Sequence, residues 1–214
     1  MRCSYWLLQL FLLVLLTQFN FGQAHLDTAL TYVGVTELTN RNDGVEVEKF
    51  LEYVGRRKGD AWCSAFASYV KDAPNTVLEP KVRSGLARHF ESRSPDRLVV
   101  KSSRVLIGAE KIPKGSFAVW QKDQTVFGHV GLVREDWSGQ YGKTVEGNTS
   151  SGVRGSQSDG DGVYKRDRAI RLGRRFRIMW FVKFEEKIPY YPLRIEPKPL
   201  TTIETLSKYL GITL

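Results

Sequence analysis

The order of two textures along the chain constrains its fold most. From Leu26 to Glu91 apolar residues recur at helical spacing, whereas from Leu98 to Phe184 they form short blocks between Gly, Asp and Ser clusters. The spacing predicts helices over Leu26–Val33, Val45–Val54, Asp60–Asp72 and Arg83–Glu91. Strands are predicted over Leu98–Lys101, Ser116–Gln121, His129–Arg134, Lys143–Glu146, Val163–Ile170 and Phe176–Phe184. Helices first, then a meander of antiparallel strands, make an α+β domain in which N-terminal helices pack on an antiparallel β-sheet.

The two ends read differently from this middle. Arg2, the apolar run Leu7–Leu16 and the small residues Gly22 and Ala24 have the pattern of a secretory signal peptide spanning residues 1–24, with cleavage expected after Ala24. An uncleaved anchor is the alternative, but the run is short for a membrane span and Gln18 and Asn20 interrupt it. The expectation is a secreted or periplasmic protein with no stable membrane insertion once the signal is gone. Residues 25–184 would form the globular domain. Residues 185–214, with prolines at 189, 192, 197 and 199 and a last short helix over Thr205–Leu210, would form an extension.

Charge and cysteine use narrow the function classes. The net charge is +9, and loss of the signal would remove one cation, Arg2, and no acid. A basic surface suits nucleic acid, anionic lipid or an anionic polymer such as a cell wall, and export makes nucleic acid the weakest of these. Cys3 would leave with the signal, so Cys63 would be the lone thiol in an oxidising compartment. Such a thiol is either a small buried hydrophobe or a reagent. The reading of a reagent rests on its position, because Asp60 can cap a helix whose first turn holds Cys63. The N–H groups and dipole of a helix N-terminus stabilise a thiolate and can hold an oxyanion.

A thiolate mechanism needs a base, and the base needs an orienting partner. His25 lies at the expected mature N-terminus and His89 in an amphipathic segment; His129 instead follows Gly128 and opens a strand. Alternation puts His129, Gly131 and Val133 on one face, with Gly131 leaving room beside the imidazole. Glu146 and Asn148, two apart on the next strand, would share a face and come alongside His129. Asn148-Thr149-Ser150 also has the form of a glycosylation sequon.

Trp62-Cys63-Ser64-Ala65-Phe66, Gly128-His129-Val130-Gly131 and Glu146-Gly147-Asn148, in that order, resemble the CHAP family of cysteine, histidine-dependent amidohydrolases and peptidases, relatives of the NlpC-type hydrolases. The resemblance covers Leu26 to Phe184, and the Gly-Asp-Gly-Val run at 160–163 adds to it. It implies a papain-like fold, Cys63 as nucleophile, His129 as general base and then acid, Glu146 as orienter of the imidazole and Asn148 as a helper. Papain-like relatives often orient the imidazole with an amide, so Glu146 and Asn148 are exchangeable at this level. The implied substrate is peptidoglycan, cut within its peptide or at the sugar–peptide amide. The same site could transfer acyl groups, and a basic surface without catalysis could simply hold an envelope polymer.

Asp60 and Trp62 beside the thiol, and Asn42 and Asp43 in the polar loop before it, are the expected substrate contacts. Glu37, Asn40, Asn42 and Asp43 also form a candidate groove lining or calcium loop, with a plain capped loop as the simpler reading. Asp159-Gly160-Asp161-Gly162 reads as a hairpin turn, and Arg166 with Arg168 either as a clamp for a peptide carboxylate or as the alternating basic residues common on an exposed strand face. No metal site and no cofactor are expected, because three histidines at unrelated spacing and one retained Cys do not make a ligand set.

Overall fold

The structure, a computed structural model, describes residues 24–73, 77–123, 125–151, 160–171 and 176–186. The expected signal peptide, Asp159 and the proline-rich extension beyond residue 186 lie outside the described residues. Among the described residues no helix is long and apolar enough to cross a membrane.

Three helices lead, as the periodicity predicts: α1 (Ala24–Thr31), α2 (Val45–Tyr53) and α3 (Cys63–Asp72). In α2 the i, i+3, i+4 set Val47, Phe50 and Leu51 is buried, and the Glu48 carboxylate accepts from the Gly44 N–H at its start. Helix α3 is buried on nearly every side, from Ala65, Phe66 and Ala67 to Val70. A helix with so little polar face belongs inside. It is the central helix of the domain, packed on both α1 and α2 and on the sheet.

The fourth expected helix is corrected. Residues 83–88 are not helical, and only α4 (His89–Ser92) forms a turn. The reason lies in α3, whose Ser64 Oγ donates to the Ser84 carbonyl at 2.8 Å while Ser68 Oγ accepts from the Ser84 N–H at 3.1 Å. Side chains thereby satisfy backbone groups that a helix would have paired.

After the two-residue strand β1 (Leu78–Glu79) come β2 (Val99–Lys101), a short helix α5 (Ser102–Leu106), β3 (Phe117–Lys122), β4 (Gly128–Val133), β5 (Tyr141–Thr149), β6 (Gly162–Ala169), β7 (Phe176–Val182) and β8 (Glu185–Glu186). Six of these form one antiparallel sheet in the order β2-β7-β3-β4-β5-β6, and β1 pairs with β8. The domain is therefore α+β. The expected simple meander holds from β3 to β6 and then breaks, because β7 returns to the far side of β3. Burial explains this. Ile178, Phe181 and Val182 of β7 are all buried, whereas β6 exposes Lys165 and Asp167 and suits an edge.

The sheet has two covered faces. Phe117, Val119, Val130, Leu132, Val145 and Val182 pack with the residues of α1–α3. Ala118, Trp120, Val133, Ile178 and Phe181 form a second cluster with Val105, Ile112 and Trp137. Between them β3 and β4 approach closely at Gly128, where a Cβ would lie 2.2 Å from the Trp120 carbonyl oxygen. Backbone cannot yield as a flexible side chain does. Gly128→Ala is expected to cost about 1–3 kcal/mol of stability, read as a lower urea midpoint.

Candidate active site

Cys63 is the first residue of α3. Its N-cap is Trp62, which makes no side-chain cap bond, so the expectation that Asp60 caps this helix is corrected. Asp60 instead accepts from the Arg57 N–H at 3.2 Å and faces Arg56 at 3.9 Å. Trp62 is fully buried, packed on Phe50 and Phe66, and its indole donates to Glu37 Oε1 at 2.8 Å. The anchored indole fixes the residue directly before the thiol. The helix then starts at the thiol itself, among its first-turn N–H groups.

His129 lies second in β4, opposite Trp120 of β3, with their rings 5.4 Å apart. Its Nε2 donates to Glu146 Oε2 at 2.8 Å. Its side chain also hydrogen-bonds with Cys63, for which Nδ1 is the remaining ring nitrogen. Burial pushes the imidazole down, but its bonds to Cys63 first and Glu146 second overcome that and hold it up at about 9. Cys63 is 8% exposed and His129 9%. Most of the surface of each is therefore dry.

Glu146 is fully buried on β5. Leu132 and Val145 are partners in the β4–β5 ladder, which sets Glu146 opposite Gly131. A Cβ on Gly131 would lie 2.4 Å from Glu146 Cγ, so the space that glycine leaves is filled by the carboxylate's own stem. Thr144 Oγ1 and Arg168 Nε donate to Oε1, the latter at 2.7 Å, and Arg168 Nη2 joins His129 at Oε2. Burial would push this carboxyl up, yet the bonds from Arg168 and then His129 prevail and hold it well below the usual carboxylate range. The imidazole therefore faces an anion.

Glu146 and Asn148 do not share a face as regular alternation predicts. The β5–β6 register shifts between Glu146 and Thr149, and Asn148 has a φ of 51°. This bulge turns Asn148 away from His129. Its side-chain amide lies 2.6 Å from that of Asn42, and with its carbonyl facing Trp62 it accepts from the backbone N–H at 3.2 Å and shares the Nε1 hydrogen, at 3.0 Å, with Glu37. Glu146 is thus the group in contact with the imidazole, and Asn148 steadies Trp62. With its amide so engaged and 9% of its surface exposed, Asn148 offers no seat for a glycan.

A groove of about 170 Å³ opens over Cys63, walled by Arg56 and Asp60, by Gly85–Ala87, and by the hairpin tip Val126-Phe127-Gly128. Val126 and Phe127 are 68% and 64% exposed, an apolar lip beside the thiol. Of the expected substrate contacts only Asp60 lines this groove; Trp62 and Asp43 are buried, and the Asn42 side chain donates to the Gly59 carbonyl at 3.2 Å. Asp43 accepts from the Thr39 N–H and hydroxyl at 2.8 and 2.7 Å, and Glu37 accepts from the Asn42 N–H at 2.9 Å. The capped-loop reading fits these bonds. Among the described residues no group of three or more His, Cys, Asp or Glu is set to hold a metal ion.

His89 is engaged by Ser84 Oγ at 2.7 Å, and His25 is buried against the Gly115 carbonyl at 2.7 Å. Arg168 does clamp a carboxylate, but an internal one, Glu146, while Arg166 donates to the Ser150 carbonyl at 2.7 Å. Sequence reasoning missed Thr144 and Trp120. The first sits two residues before Glu146, the spacing that puts both on one strand face. No protein-family model and no curated protein matches this chain.

Proposed function

We propose that this protein is a cysteine amidohydrolase or endopeptidase of CHAP type with a papain-like arrangement, exported to cut amide bonds of peptidoglycan. The observation that carries the reading is the imidazole of His129 held between a buried anionic carboxylate and Cys63, whose thiol lines a groove. Thiolate attack on the amide carbonyl gives a tetrahedral oxyanion, to which the first-turn N–H groups of the helix that Cys63 opens can donate. The imidazolium protonates the leaving amine, and the thioester remains on Cys63. His129, now neutral, takes a proton from water, which attacks the thioester and frees the acid. The substrate class rests on the motif resemblance, the basic charge of +9 and the expected export signal.

The test is digestion of purified sacculi, with fragments read by mass spectrometry and new amino and carboxyl termini counted. Fragments should appear with one new amine per new carboxyl, and alkylating Cys63 beforehand should stop their release. Equal release by alkylated and native protein would overturn the reading. Adding a free amine as competing nucleophile separates hydrolysis from acyl transfer, because transfer yields the amide of that amine instead of the acid.

A further inference from the structure

The reach of Arg168 extends beyond the three groups of the proposed mechanism. It projects from β6, the edge strand, across β5 to both oxygens of Glu146, with its guanidinium 5.5 Å from the centre of the Trp120 ring. Trp120 packs on His129 as well, so one aromatic surface backs both cations of the cluster. An Arg fork fixes a carboxylate in two directions at once, which a point charge does not.

We propose that Arg168 is a positioning residue that acts on the Cys63 nucleophile through Glu146 and His129, its fork holding the buried carboxylate as a permanent acceptor for the imidazole. This rests on the cysteine-hydrolase reading of the site. Without the guanidinium, Glu146 is a fully buried carboxylate whose one cationic partner among the described residues is His129. Desolvation then favours its protonated form. A protonated Glu146 no longer draws the Nε2 proton, the imidazolium weakens, and the thiolate loses its counterion. Removing Arg168 also relieves repulsion on the imidazolium, but the guanidinium touches the carboxylate itself, so the loss there is larger.

Other charges face the cluster from each packed element. Cys63 comes from α3 and His129 from β4, and Arg166 lies two residues from Arg168 on β6. Beyond Arg168, a pocket is lined by Glu135, Asp136, Lys143, Asp167 and Arg171. The variants below leave all of these unchanged, so a difference between them reports Arg168.

The readout needs no substrate: the rate of Cys63 alkylation by iodoacetamide against pH, with the modified peptide identified by mass spectrometry so that Cys3 does not contribute. In Arg168→Met the acid limb of this profile should move up by at least about one pH unit. Arg168→Lys, which restores charge without the fork, should return most of that shift while reacting several-fold more slowly than the native protein. A native-like profile in Arg168→Met, or a uniform fall with an unmoved midpoint, would overturn the proposal. If Arg168→Met does not fold by circular dichroism, Arg168→Gln is judged by the same criterion. Failure of sacculus digestion with the alkylation shift intact would count against the hydrolase reading and leave the role of Arg168 standing.

Discussion

Cys63→Ala is expected to lower release of peptidoglycan fragments on the order of 10⁴-fold or more, because no other group of the cluster can form the acyl intermediate. His129 and Glu146 stay in contact, so a water-activating residue of catalysis is the most that survives. The fold should stay intact, since the side chain loses one atom at a site already open to the groove. A second readout distinguishes a broken relay from a broken fold. Cys63 is the larger of the two partners that raise His129, so in Cys63→Ala the imidazole should titrate below its native value of about 9, followed by its ring-proton resonances. Fragment release near the native rate would remove Cys63 from the mechanism.

The parts of the site legible in the sequence are those set by local pattern. A helix with almost no polar face, α3, had to be central, and its first residue had to lie where backbone donors gather. Alternation in β4 predicted His129 beside a glycine, and the Glu146 stem fills the room that this glycine leaves. The errors came where one element answers to another far along the chain. Arg83–Glu91 has helical spacing, but the serines of α3 take its backbone groups. Asn148 follows strand alternation until a bulge turns it to Asn42, 106 residues away in sequence. The return of β7 to the middle of the sheet depends on which strand needs two covered faces, a comparison between β6 and β7 that neither segment reveals alone. A strand with Arg166 and Arg168 suits carboxylate clamping, but nothing local marks Glu146, 22 residues distant, as the carboxylate that Arg168 meets.

Glu146→Gln separates what the buried carboxylate does for catalysis from what it does for the fold. An amide in its place accepts at one atom and donates at the other, so it cannot receive both arms of Arg168 and the imidazole. Arg168 then loses the carboxylate that both its arms grip, and breaking a buried ion pair costs about 3–5 kcal/mol. Turnover should fall about 10²–10⁴-fold as His129 loses its orienter. The pH dependence of stability gives the sign. Glu146 is held below its unfolded value of 4.5, so the stability it supplies is present above that pH and drains away as pH falls further. His129 is held above its unfolded value of 6.5, so its share is whole below that pH and is lost as pH rises through about 9. The site's contribution to native stability is therefore greatest between 4.5 and 6.5 and falls on both sides. In Glu146→Gln the acid fall should become shallower, leaving the part that Asp43, Glu48, Glu110 and Asp136 supply, and the alkaline fall should shrink without disappearing, because Cys63 still raises His129. Urea midpoints measured from below pH 4.5 to above pH 9 check both limbs; an acid limb as steep as the native one would mean that the fold does not depend on ionisation of Glu146.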